Sequence, residues 1–319
     1  MHLAHRLRHA AAAAVLVYSV VVGQSALARA PRDVWLISTR RAPWSAPADG
    51  LDALRVWRLD DDGDWASSDP QALYATDDPA VPACVFVHGN RADRHQAVRD
   101  GWAVYRALAG ARPFRLVIWS WPADRIRGGH RHDVQVKARR SDVESYYLAS
   151  WLRRGDPQVP RCLVGYSFGA RVITGALQLC AGGRVAGRSL PESPDAPAGG
   201  TVRAVLVAAA IDNDWLLPGR RNDLALGALD RLLLTQNACD PVLKWYRLMD
   251  RSRRPEALGR TGPAGLACLQ DERVKIEPLR LECSVGRNHD WCAYMRSSSL
   301  RSRLAAYALG DSPEVAATR

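Results

Sequence analysis

The stretch Cys162-Leu-Val-Gly-Tyr-Ser-Phe-Gly-Ala170 decides how the chain is read. An apolar run, Arg161–Gly165, enters it, and a helix-like segment, Phe168–Cys180, leaves it. Gly165-x-Ser167-x-Gly169 therefore falls on a strand-to-helix turn. In such a turn the serine adopts a strained backbone conformation at the strand tip, and the small residues on either side let strand and helix approach closely. Its hydroxyl is expected to be exposed at the C-terminal edge of a sheet, with the following N–H groups at the positive end of a helix.

A serine nucleophile needs a base, and the base needs an acid to orient it. Seven of the eight histidines precede Ser167, so the chain order Ser…Asp…His leaves His289, in Val285-Gly-Arg-Asn-His289. Asp240 is favoured as the acid because it follows the strand-like run Leu232–Thr235 and precedes His289. Asp212 and Asp214, in Ala210-Ile-Asp-Asn-Asp-Trp215, follow the preceding run and are the alternative. Ala83–Val87 ends in His88-Gly89-Asn90-Arg91, where glycine lets the backbone turn and aim an N–H at a carbonyl oxygen. The backbone N–H groups of Asn90 and Phe168 are the expected oxyanion donors. His88 precedes the turn and reads as structural.

Outward from this centre, short apolar runs alternate with helix-like segments. The strand-like runs are Val34–Ser38, Leu54–Leu59, Ala83–Val87, Phe114–Trp119, Arg161–Gly165, Val202–Ala208, Leu232–Thr235 and Leu279–Ser284. The helix-like segments are Arg94–Leu108, Val134–Arg153, Phe168–Cys180, Asp223–Leu229, Pro241–Met249 and Asp290–Leu309. Runs without strict alternation, separated by helices, predict a mostly parallel eight-stranded sheet covered on both faces. The short connection Ala42–Gly50 predicts an antiparallel hairpin between the first two strands. Arg184–Gly200 reads as a surface loop and Asp250–Pro278 as an irregular excursion.

Residues 1–28 have a basic start, an apolar core from Ala10 to Val22, and Ala26-Leu27-Ala28 at the end. That is a secretory signal, which predicts export to the periplasm or beyond and a single mature domain over 29–319. All seven cysteines lie in the mature chain. Cys84 and Cys162 sit in apolar runs and read as buried thiols, whereas Cys239, Cys268, Cys283 and Cys292 are disulfide candidates in an oxidising compartment. A Cys283–Cys292 bridge would pin the loop that bears His289.

Hydrophobic residues make up 47% and charged residues 24%, which excludes disordered, collagen-like and coiled-coil proteins. The net charge of +11 comes with only three lysines and no basic stretch interleaved with stacking aromatics, so no nucleic-acid partner is expected. Gly129-His130-Arg131-His132 has no accompanying carboxylate or cysteine cluster and reads as a solvated loop, so neither metal nor cofactor is expected. Lys137-Ala138-Arg139-Arg140 reads as a solvated helix face. Eleven tryptophans stand against three phenylalanines; Trp35 and Trp57 read as core. Trp119, Trp121, Trp215, Trp245 and Trp291 lie near the functional strand ends. They are candidates to line an acyl pocket, with core packing the simpler reading of each.

From Val34 to about Leu309 the chain resembles α/β-hydrolase-fold proteins. It is similar to a poorly characterised bacterial group of them through Ser38-Thr39-Arg40 ending an early strand, Trp121-Pro122 ending a later one, the long helix after it, and Ile211–Asp214. The resemblance implies a Ser–Asp–His hydrolase with no settled substrate. The combined reading is an exported serine hydrolase acting on a small-molecule or lipid-like ester. Peptidase, amidase or acyltransferase chemistry on the same residues stays open, as does a non-catalytic envelope binding protein that keeps the fold.

Overall fold

The apolar runs become the strands of one sheet. The computed structural model describes residues 32–45, 51–191, 200–250 and 252–310. Residues 1–28, expected to be a signal segment, lie outside the described residues, as do parts of the Ala42–Gly50 and Arg184–Gly200 connections. In chain order the strands are β1 (Val34–Ser38), β2 (Arg55–Leu59), β3 (Trp65–Ser68), β4 (Ala83–Val87), β5 (Arg115–Ser120), β6 (Arg161–Tyr166), β7 (Val202–Val207), β8 (Arg231–Gln236) and β9 (Ile276–Arg280). The helices are α1 (Pro70–Ala75), α2 (Arg94–Leu108), α3 (His130–Arg154), α4 (Gly169–Cys180), α5 (Pro241–Lys244), α6 (Leu258–Thr261), α7 (Glu282–Val285), α8 (Trp291–Arg296) and α9 (Ser298–Leu309).

The sheet runs β3-β2-β1-β5-β4-β6-β7-β8-β9. β1 pairs antiparallel with β2, as the short connection predicts, and parallel with β5; from β5 across to β9 every pairing is parallel. β1, β4 and β5 are buried at every residue, which is what a parallel sheet covered on both faces requires of its strands. Helix α2 connects β4 to β5 in one direction across the sheet, whereas α3 and α4 carry the chain in the other. Right-handed crossovers therefore put α2 on one face and α3 with α4 on the opposite one. Accordingly α9 and α8 pack with α2, and α3 packs on α4. With the serine turn at the end of the central strand β6, this is the α/β-hydrolase arrangement.

Several boundaries differ from the sequence reading. Among the described residues the sheet has nine strands in place of the expected eight. The additional one, β3, pairs antiparallel with β2; its Trp-Ala-Ser-Ser carries no apolar run because its side chains are half-buried or exposed at the sheet edge. The last strand is Ile276–Arg280 rather than Leu279–Ser284, and Glu282–Val285 is helical. β9 is an outer strand with Pro278 inside it, so its pattern is mixed rather than apolar. Helix α1, with Pro70 in its first turn, is capped by Asp69, whose carboxylate accepts the Gln71 N–H at 2.7 Å. Asp223–Leu229 reduces to a 3-10 turn at Ala225–Ala228, and Pro241–Met249 divides into α5 and a 3-10 turn at Tyr246–Leu248. The last helix breaks at Ser297, whose hydroxyl caps α9.

Two readings of the third helix are corrected. It begins at His130, inside the segment taken as a loop. Lys137 and Arg140 are buried rather than solvated, because each meets a carboxylate one turn away: Lys137 with Asp133 at 3.1 Å and Arg140 with Glu144 at 2.7 Å. Arg140 also donates to the carbonyls of Thr39 and Ala42, and Thr39 donates to Glu144 at 2.6 Å, so α3 is bolted to the end of β1.

At the opposite edge of the sheet, Arg115 reaches Asp33 at 2.7 Å and Asp77 at 2.8 Å, and Arg161 lies 3.6 Å from Asp77. Both guanidinium groups are largely buried, and removing one partner of a buried pair costs more than the pair contributes. Asp77→Ala is expected to destabilise the fold by about 3 kcal/mol or more. Urea denaturation of the purified variant beside Asp77→Asn, which keeps the shape and loses the charge, measures it.

Candidate active site

Ser167 has φ +52°, in the left-handed region that L-residues rarely adopt. The strain is held from two sides. The Ser167 N–H donates to the Val207 carbonyl on β7 at 2.9 Å, and its own carbonyl accepts from Ala210 at 3.2 Å and from Ala170 at 3.1 Å. The flanking glycines are a steric requirement: a Cβ on Gly169 would lie 2.1 Å from the Val87 carbonyl oxygen, and one on Gly165 would lie 2.8 Å from Ile173. Ser167 is only 6% exposed, so the expectation of an open hydroxyl is corrected. Gly89 approaches so closely that a Cβ there would stand 3.2 Å from that of Ser167, and His289 lies against the hydroxyl.

The residues singled out from the sequence converge. His289 Nε2 is 3.1 Å from Ser167 Oγ, and His289 Nδ1 is 2.7 Å from Asp240 Oδ2. An ionised carboxylate only accepts, so Nδ1 carries the ring proton and Nε2 presents its lone pair to the serine hydroxyl. Asp240 is fully buried and caps α5, with Oδ1 accepting the Val242 and Leu243 N–H groups at 2.9 and 3.1 Å. The alternative acids lie elsewhere. Asp212 accepts from Tyr246 at 2.7 Å and pairs with Arg253 at 3.2 Å. Asp214 faces Arg220 and Arg253, beside a cavity of about 410 Å³ whose lining includes neither Ser167 nor His289.

The Gly89–Ala92 turn is clamped by groups from two other strand ends. His88 is fully buried; burial, with Arg40 nearby, pushes its imidazole down to about 3, so it is neutral. The Trp121 N–H donates to His88 Nε2 at 3.2 Å, which assigns the proton to Nδ1, 2.8 Å from the Gly89 carbonyl. Trp121 also donates its indole N–H to the His88 carbonyl at 2.9 Å. Arg40 joins Ala92 and Ser120, at 2.9 and 2.8 Å, and pairs with Asp124. In a trans peptide the C=O and N–H point apart, so with the Gly89 carbonyl held by His88 the Asn90 N–H faces the other way. Among the described residues neither that N–H nor the one of Phe168 has a hydrogen-bond partner.

The loop carrying His289 is held by hydrogen bonds. Tyr166 donates its hydroxyl to the His289 carbonyl, Asn237 donates to the Gly286 carbonyl at 2.8 Å, and the Asp290 N–H donates to Asn288 at 2.8 Å. The Cys283–Cys292 bridge is not formed: both are exposed free thiols, as are Cys239 and Cys268, whereas Cys84 and Cys162 are buried as expected. The tryptophans mostly follow the core reading. Trp119, Trp121, Trp215 and Trp291 are buried, and Trp245 is exposed. Tyr166, Tyr294, Asn237 and Arg40 shape the site with no role in it expected from sequence, and Trp121, a candidate for the acyl pocket, clamps the His88 turn instead. Tyr166 directly precedes the serine, and that adjacency is the one local signal among them.

No protein-family model and no curated protein matches the chain. Among solved structures it is similar to the catalytic core domain of acetyl xylan esterase from Trichoderma reesei, at 16% identity and a TM-score of 0.39, covering 72% of this chain and 97% of that one. An iodinated complex of acetyl xylan esterase is similar at 16% identity and a TM-score of 0.37, covering 72% and 96%.

Gly169→Ala tests the packing that supports the serine turn. With a methyl group forced against the Val87 carbonyl, the variant is expected to lose about 3 kcal/mol or more, or to fail to fold. Thermal unfolding beside Gly227→Ala, a change at a position with open space and an ordinary φ, separates the contact from a general cost of losing glycine.

Proposed function

We propose that the protein is an exported serine hydrolase that cleaves carboxylic esters, with Ser167 as nucleophile, His289 as base and Asp240 as the acid. The observation that carries this reading is the hydrogen-bonded line from Ser167 Oγ through both ring nitrogens of His289 to a buried carboxylate. His289 Nε2 takes the hydroxyl proton as Ser167 Oγ attacks the carbonyl carbon. Asp240 holds the ring tautomer and stabilises the imidazolium that forms. The Asn90 and Phe168 N–H groups receive the oxyanion, each such donor being worth ~3–4 kcal/mol. His289 returns the proton to the leaving alcohol, and a water activated in the same way releases the acid from the acyl-serine.

A serine with so little exposed surface suits a small-molecule or lipid-like ester better than a bulky polymer. The sequence-based expectation of export carries with it removal of residues 1–28, so the mature enzyme would begin at Arg29.

A fluorophosphonate probe is expected to label the wild-type protein and not Ser167→Ala, and Ser167→Ala is expected to lose ester turnover by several powers of ten while staying folded. Retained turnover in the folded variant would overturn the nucleophile. Asp240→Asn should lower kcat/KM far more than Asp212→Asn or Asp214→Asn, since one of the three faces His289. Comparing the three rates on a p-nitrophenyl ester series decides the acid, and the same series reads acyl-chain preference.

A further inference from the structure

The carboxylate oxygen that holds His289 has a second donor. Tyr294, in α8, donates its hydroxyl to Asp240 Oδ2 at 2.9 Å, the same oxygen that accepts from His289 Nδ1 at 2.7 Å. Tyr294 is fully buried, and its phenol is pushed up, first by burial and then by the negative charge of Asp240. It therefore remains a donor throughout the working pH range. Its direction is fixed from behind: Asn237 Nδ2 lies 3.4 Å from the Tyr294 oxygen, and an amide N–H can only donate, so the phenolic proton is left to point at Asp240. The orientation of Asn237 is set in turn by its Oδ1, which accepts the Cys239 N–H at 3.1 Å, and by the Gly286 carbonyl.

The four acceptor positions of the carboxylate are thus filled by two backbone N–H groups, one tyrosine and the histidine. Each donor draws charge from the carboxylate, and a carboxylate with less free charge holds an imidazolium less firmly. We propose that Tyr294 is a positioning residue that competes with His289 for Asp240 Oδ2 and so sets the pH below which the histidine is protonated and the enzyme idle. This inference rests on the proposed roles of Asp240 and His289.

Other titratable groups face this network. Tyr166 of β6 packs its ring 5.5 Å from that of His289, and its phenol is pushed up by burial. Asp100 of α2 is raised to about 6 by burial and receives Gln96 at 2.5 Å. Asp290 precedes α8, and Glu282 of α7 adds negative charge near Tyr294. Asp100 titrates in the same range as a histidine, so the experiment includes Asp100→Asn.

The test is an NMR titration of the wild-type protein with ring-labelled histidine, assigned with His289→Asn, together with the pH profile of kcat/KM. In Tyr294→Phe the His289 midpoint and the acid limb of the profile are expected to move up together by about 0.5–1 pH unit, in the wild-type and Asp100→Asn backgrounds alike. Site-specific 3-fluorotyrosine at 294, a stronger donor in the same shape, is expected to move both down. A structural role alone would lower kcat and leave the midpoint where it was. An unchanged midpoint, or a shift lost in Asp100→Asn, overturns the inference. Ester turnover that is absent, or independent of Ser167, overturns the proposed function instead, and the titration still reads the Tyr294 effect.

Discussion

Helix α4 meets the end of β4 with no side chain between them. A Cβ at Gly169 would fall 2.1 Å from the Val87 carbonyl, well inside any tolerable contact, so the two backbones touch. That closeness ties the serine turn to the His88–Ala92 turn as one rigid piece. The candidate oxyanion donors come from these two turns, and their separation is therefore set by backbone contact rather than by side chains that can change rotamer. The left-handed backbone at Ser167 is the local cost of the arrangement, offset by hydrogen bonds from both its N–H and its carbonyl.

Around that piece the site is assembled from strand ends. β1 contributes Arg40, β5 contributes Trp121, and together they grip the turn after β4. β8 contributes Asn237 and leads into Asp240, which caps the next helix while holding His289. One carboxylate thus ends a strand connection, begins a helix and orients the His289 ring. The buried pairs on α3 belong to the same economy of space, since Arg140 and Glu144 fasten the long helix to the residue beside Arg40.

What could be read from sequence follows distance along the chain. Ser167 and its glycines form a local pattern, and His289 follows from chain order. Asp240 is favoured by its place after the run Leu232–Thr235 and before His289, and the structure adds that it caps the helix beginning at Pro241. The pairing of Tyr294 with Asp240 spans 54 residues and depends on where α8 comes to rest, which no spacing discloses. Lys137 and Arg140 look solvated only as a run of bases taken alone, because their partners Asp133 and Glu144 stand one turn away on the helix. The edge strands escaped for a related reason: a strand with one free side carries no continuous apolar run, and β3 and β9 are the two ends of the sheet.

Those two ends also govern how the molecule meets its own copies. An outer strand offers unpaired N–H and C=O groups to any chain that can lie alongside it, and a wide sheet concentrates that hazard at its margins. On one margin, Pro278 inside β9 removes a donor from the row. On the other, β3 is four residues long and follows the exposed acidic turn Asp60-Asp-Asp-Gly-Asp64. Neither margin is a good template. Both ends of the sheet therefore disfavour strand-to-strand accretion between copies of the chain.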